Sequence, residues 1–151
     1  MNPSNERTVS SLTHLSALSQ YFIPFGNFIF PIIIWSSKKK DSDFVNYNGK
    51  QILNFQLSIL LYSIILCMIA VPIIIYMVFK NVAFSTILNG NDFEFHNFNF
   101  NDFTGMAILA LLAIIIFGFL KIIEFILIVY AAVKASNGEK YKYPLTIPFF
   151  K

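Results

Sequence analysis

Residues 52–79 read ILNFQLSILLYSIILCMIAVPIIIYMVF, and residues 106–130 read MAILALLAIIIFGFLKIIEFILIVY. Each run exceeds the roughly 20 residues needed to cross the hydrocarbon core of a bilayer. Backbone N–H and C=O groups in hydrocarbon must be bonded within their own segment. Neither run alternates apolar with polar residues, so both must be helices rather than barrel strands. The rest of the chain agrees: of 151 residues 56% are hydrophobic and 13% charged, too little polar material to cover a soluble core. The fold class expected is an all-α integral membrane protein, with an N-terminal broken helical hairpin followed by two long transmembrane helices, four helical segments in total.

Moving outward from the long runs, Arg7 to Phe22 reads as an amphipathic helix. Val9, Leu12, Leu15, Leu18 and Phe22 recur at three or four residues, with Ser10, Thr13, His14 and Gln20 on other faces. Pro24, Gly26 and Asn27 interrupt it, because proline removes a backbone donor and the other two tolerate turn conformations. A second short helix is expected from about Phe28 to Trp35, with Pro31 near its first turn. Two geometries fit this stretch: a single broken span of about 36 Å at 1.5 Å per residue, or a hairpin whose tip enters the bilayer. The hairpin is the reading adopted.

The resulting plan is a single membrane domain. Residues 5–37 form the broken hairpin, 38–50 a polar cytoplasmic connector with Asn46, Asn48 and Gly49 as its stop, and 51–79 the first span, kinked at Pro72. Residues 80–103 form an extracytoplasmic loop rich in Phe and Asn, lying on the interface or pairing loosely as a strand. Residues 104–136 are the second span, closed by Gly138, and 137–151 a cytoplasmic tail. No cleavable signal peptide precedes these segments, so the chain is expected to begin near Met1.

Lysine placement sets the orientation. Lys38, Lys39, Lys40 and Lys50 lie in the connector, and Lys134, Lys140, Lys142 and Lys151 at the C-terminal end. The positive-inside bias puts the connector and the tail in the cytoplasm of a bacterial inner membrane, with the C-terminus cytoplasmic. These lysines flank apolar helices and are not set on an aromatic-studded soluble face, so nucleic acid is not an expected partner. Membrane lipids are, together with a protein partner or homo-oligomer in the membrane. Lys38, Lys39, Lys40, Lys134, Lys140 and Lys142 form a candidate lipid or partner patch.

Inside the spans, Lys121 and Glu124 share a helix face in an otherwise apolar run and form a candidate intramembrane ion pair, structural or part of a proton relay. Gln51, Asn54, Ser58 and Tyr62 follow helical spacing and make a candidate polar seam for helix contacts. Ala131 and Ala135 would permit close helix approach. His14 reads as a hydrogen-bonded structural histidine, since His96 falls on the opposite side and no carboxylates stand at ligand spacing. The lone Cys67 offers no disulfide. There is no phosphate loop, nucleophile elbow or metal-ligand spacing, so no catalytic, cofactor or metal residues are assigned and no enzyme is expected.

Several blocks carry a resemblance: Leu12-Thr13-His14-Leu15-Ser16-Ala17-Leu18; Pro24-Phe25-Gly26-Asn27 with Pro31 and Trp35; Asn48-Gly49-Lys50-Gln51-Ile52-Leu53-Asn54-Phe55-Gln56; and Ala132-Val133-Lys134-Ala135-Ser136-Asn137-Gly138-Glu139 followed by Tyr143-Pro144-Leu145. Together they resemble a family of small, largely uncharacterised bacterial membrane proteins. That family is distantly similar to the small helical subunit of the chloroplast inner-envelope import translocon (Tic-twenty-like) and to the magnetosome proteins MamF and MmsF. The resemblance implies a four-helix bundle working in a complex or in building a membrane compartment, and it carries over no catalytic residues. The loop and the Lys121–Glu124 pair depart from the family pattern. The function expected is a non-enzymatic accessory or scaffold subunit of a membrane complex. The rival is a small transporter or channel component in which Lys121 and Glu124 line a polar path with Gln51, Asn54 and His14.

Overall fold

A computed structural model describes residues 1–81 and 105–150, with side chains at all of these but 77–81 and 106. The first helix, α1 (Pro3–Leu15), starts where Asn2 accepts from the Ser4 amide at 3.5 Å and Pro3 supplies a preset first turn. It tightens into a 3-10 helix at Ser16–Tyr21. There Ser16 and Ser19 donate to the carbonyls three residues back, at 2.8 and 2.6 Å, drawing the backbone inward. The chain reverses through Phe25, held at φ 60°, into α2 (Gly26–Lys38). Gly26 lies so close to the 3-10 helix that a Cβ there would stand 2.9 Å from the Ser19 carbonyl carbon.

The N-terminal ammonium donates to the Asp41 carbonyl at 3.4 Å, so α1 and α2 begin and end together. Leu12 to Trp35 is therefore a hairpin and not one broken span. Since α2 starts two residues before Phe28, Pro31 falls in its second turn, where it is buried.

The connector is much shorter than residues 38–50. The next helix, α3 (Asp43–Asn81), begins directly after Ser42. Ser42 Oγ accepts from the amides of Phe44 and Val45 at 3.2 and 3.3 Å and donates to Glu6 at 2.6 Å, a side-chain cap that starts the helix early. Asn46, Asn48 and Gly49, read from sequence as a stop, are helical because each meets the hairpin. Trp35 donates to Asn46 at 3.0 Å, and Gly49 sits against the Trp35 indole with no room for a Cβ. The helix runs without interruption through Pro72.

The last helix, α4 (Gly105–Ser136), ends in a Schellman turn. Gly138 at φ 81° donates to Ala135 and Glu139 donates to Lys134, both at 3.0 Å. The expected Phe/Asn loop, its strand and His96 lie outside the described residues.

Every described element is helical, and α3 and α4 contain stretches (Asp43–Tyr76 and Ala107–Ser136) with mean hydropathy 2.7 and 2.8. Only 17% of each window is buried within the protein, whereas the core helix of a soluble protein would be mostly covered. These helices are long and apolar enough to span a membrane.

Contacts divide the chain into two units, residues 1–61 with 120–151, and residues 62–119. In the second unit burial falls on Ala70, Ala107, Ala110 and Ala113, while Ile and Leu side chains face outward. Small residues allow close backbone approach, and lipid imposes no penalty on the exposed apolar ones. The first unit holds the main core: Ala17, Ile52, Phe55, Ile59, Ile128, Ala131 and Tyr143.

Candidate functional site

Among the described residues the first unit also holds the buried polar groups that pair to stitch segments together. On α1, His14 is fully buried and bonded at both ring nitrogens, Nε2 to Asn48 Oδ1 at 3.0 Å and Nδ1 to the Tyr143 hydroxyl at 2.9 Å. Asn48 Nδ2 donates to the Phe44 carbonyl at 2.9 Å, which leaves Oδ1 as the acceptor facing His14. The proton therefore sits on Nε2, and Nδ1 accepts from Tyr143. Burial pushes the imidazole down from 6.5 to about 4, only partly opposed by Asn48. The Tyr143 hydroxyl is raised well above its usual 10 by burial, then by Tyr141 and Glu124. Both rings are held neutral.

Around α4, Glu124 is fully buried and uses both carboxylate oxygens. Lys121 donates to one at 2.8 Å and Gln20, from the 3-10 helix, to the other at 3.0 Å. The charge is thus paired and hydrogen-bonded, which buried charge requires. Asn27 at the start of α2 donates to Gln56 on α3 at 2.7 Å.

The tail returns along α3 instead of leaving it. Tyr143 stacks on Phe55 with centroids 4.2 Å apart and planes at 10°. The Ile147 amide donates to Ser58 at 2.9 Å, and the Phe149 and Phe150 amides donate to Asn54 Oδ1 at 3.1 and 2.8 Å. Asn54 Nδ2 returns a bond to the Phe150 carbonyl at 3.0 Å. Phe150 meets Trp35 edge-on at 5.9 Å. Backbone to backbone, the Phe149 amide also donates to the Ile147 carbonyl at 3.0 Å, and side chains on α3 supply these other bonds.

A family profile described as "Magnetosome magnetite crystal formation protein family" (MamF_MmsF) matches residues 5–150. The chain belongs to the MamF/MmsF family. No curated protein and no solved structure gives a match. The match covers the hairpin, the capped start of α3, α4 and the tail, so the polar joints lie within the MamF/MmsF region. The family description names crystal formation and no reaction.

In this family member the residues singled out from sequence are distributed as follows. Lys121 and Glu124 meet directly. Asn54 and Ser58 bind the tail backbone, Gln51 is half-buried on the same helix, and Tyr62, also half-buried, belongs to the second unit. Among the patch lysines, Lys38 pairs with Asp41 at 3.6 Å and Lys134 with Glu139 at 2.6 Å. Lys39 lies over Trp35 and Lys140 over Tyr47, at 4.5 and 5.3 Å from the ring centroids, while Lys40 and Lys142 are exposed.

His14, Glu124 and Asn54 belong to separate hydrogen-bonded groups. Among the described residues no cluster of three or more His, Cys, Asp or Glu is placed to hold a metal. Sequence reading did not single out Asn48, Gln20, Asn27, Gln56 or Tyr143 as functional. Gln20 meets a partner 104 residues away, so no local pattern points to it.

Proposed function

We propose that this protein is a non-catalytic scaffold of the membrane in which a mineral compartment is built, the setting named by its family. The observation that carries this is the use of its buried polar chemistry. The groups around His14 and Glu124 tie α1, the 3-10 helix, α3, α4 and the tail into one polar-locked bundle. A scaffold needs a fixed shape, and this network specifies one.

The reading adds an inner-membrane location with both spans crossing, the connector and tail on the cytoplasmic face, and lipid with a protein partner or second copy around the apolar helix faces. The four-helix count also agrees with the Tic-twenty-like resemblance. Crosslinking in native membranes tests the proposal. Stoichiometric neighbours, lost when α3 or α4 outer-face residues are changed, are the expected result. A monomer with no neighbours would defeat it. A membrane flux abolished by Glu124→Gln at normal protein abundance would favour the transporter.

A further inference from the structure

The C-terminal segment 141–150 is bound without being part of any helix. Three of its amides reach α3 side chains, Tyr143 fills the core beside Phe55, and Leu145 takes a strained φ of 55° to turn the chain between them. One side-chain bond joins this strap to the hairpin, from the Tyr143 hydroxyl to His14 Nδ1. That bond exists only while Nδ1 is bare. We propose that the tail is a releasable strap latched by neutral His14, and that protonation of His14 frees it from the bundle.

The geometry gives the reason. A proton added at Nδ1 would face the Tyr143 hydroxyl hydrogen. Tyr143 could accept only by turning its own proton into a site where the ring is 2% exposed. Asn48 cannot relieve the new cation, because its Oδ1 already takes the Nε2 proton and its amide is committed to Phe44.

The titratable groups around the joint offer little compensation. On α3, Asp43 is exposed in the first turn, Tyr47 lies under Lys140, and Lys50 is itself a cation. On the tail Tyr141 meets Tyr143 edge-on at 5.1 Å. On α4 Glu124 acts on Tyr143 but is already occupied by Lys121 and Gln20. The charged side chain of α2, Lys38, is paired with Asp41 at the far end of that helix. On α1, Glu6 takes the Ser42 hydroxyl and Arg7 lies against Gly138. Release hydrates the imidazole and lets it titrate normally.

The sign follows from linkage. His14 is depressed to about 4 in the docked state and returns to 6.5 when free, so docking is fully supported above pH 6.5 and weakens progressively as pH falls from there to about 4. The ratio of docked to released tail drops by up to about 300-fold across that window.

A nitroxide at Thr146→Cys, in a Cys67→Ser background and in phosphatidylcholine nanodiscs, reads tail mobility directly. Mobility should rise as pH is lowered from 7.5 to 4, while far-UV circular dichroism stays helical. His14→Gln keeps a donor for Asn48 and an acceptor for Tyr143 without titrating, so its tail should stay docked throughout. Tyr143→Phe keeps the stack but removes the latch, so its tail should be more mobile at pH 7.5. Unchanged mobility in the parent protein, an undiminished pH response in His14→Gln, or tail release only in parallel with loss of helix would each overturn the proposal.

Discussion

Lys121→Met is the substitution that tests the buried pair most directly. It removes the ammonium 2.8 Å from Glu124 and leaves a carboxylate with 0% side-chain exposure facing apolar neighbours, with only the Gln20 amide still donating. Removing one partner of a buried pair costs about 3–5 kcal/mol. The retained Gln20 bond and the 34% exposure of Lys121 place this case at the lower end, about 3 kcal/mol. Replacing both partners, with Glu124→Leu added, removes the stranded charge and leaves the Gln20 amide short of a partner, a cost of about 1–2 kcal/mol. The double variant should therefore be more stable than Lys121→Met alone. Unfolding in detergent micelles, followed by far-UV circular dichroism through a double-mutant cycle, measures the difference. If Lys121→Met lost less than about 1 kcal/mol, or the two changes simply added, the argument that Glu124 is a desolvated charge held by its partners would be refuted.

Gly49→Ala would drive a Cβ into the Trp35 ring and to 2.9 Å from the Trp35 Cβ, forcing α2 from α3 at about 1–3 kcal/mol. Because Trp35 is the chain's one tryptophan, its fluorescence should shift in the same variant, and an unchanged spectrum with native stability would contradict the packing. Asn54→Ala deprives the Phe150 amide of its acceptor and the Phe150 carbonyl of its donor, and leaves the Phe149 amide only the Ile147 carbonyl. Carboxypeptidase should then trim the tail at least several-fold faster, from a loss of about 1–3 kcal/mol of docking. Gly138→Ala places a side chain at φ 81° and its Cβ 2.7 Å from Arg7 Nε. Arg7 can swing aside, so the cost is the left-handed backbone, about 1–2 kcal/mol in the same detergent assay.

How much of this was legible beforehand varies by element. Local chemistry announces the end of α4, since a glycine after a long apolar helix forms the Schellman turn that Gly138 makes. It misleads at the start of α3, where Asn46, Asn48 and Gly49 have the composition of a stop. Their partners, Trp35 and His14, are 11 and 34 residues away, and those contacts outweigh helix propensity. The Lys121–Glu124 pair was readable because both members share a helix face. Gln20, which completes it, could not be found by any local rule.

The sequence alone determines that this protein is helical and suited to a membrane. Length and apolarity of the two runs are sums over local residues, and the requirement that backbone groups be satisfied in hydrocarbon admits one solution. Its lysine pattern sets an expectation of orientation, made without reference to any contact. Only the tertiary structure decides that the N-terminal stretch is a hairpin, that α3 begins at Asp43, and that the tail folds back onto Asn54, Ser58 and Phe55. Those outcomes depend on which buried donor meets which distant acceptor. An unpaired polar group is costly wherever it is buried, yet composition and periodicity do not say where its partner will be found.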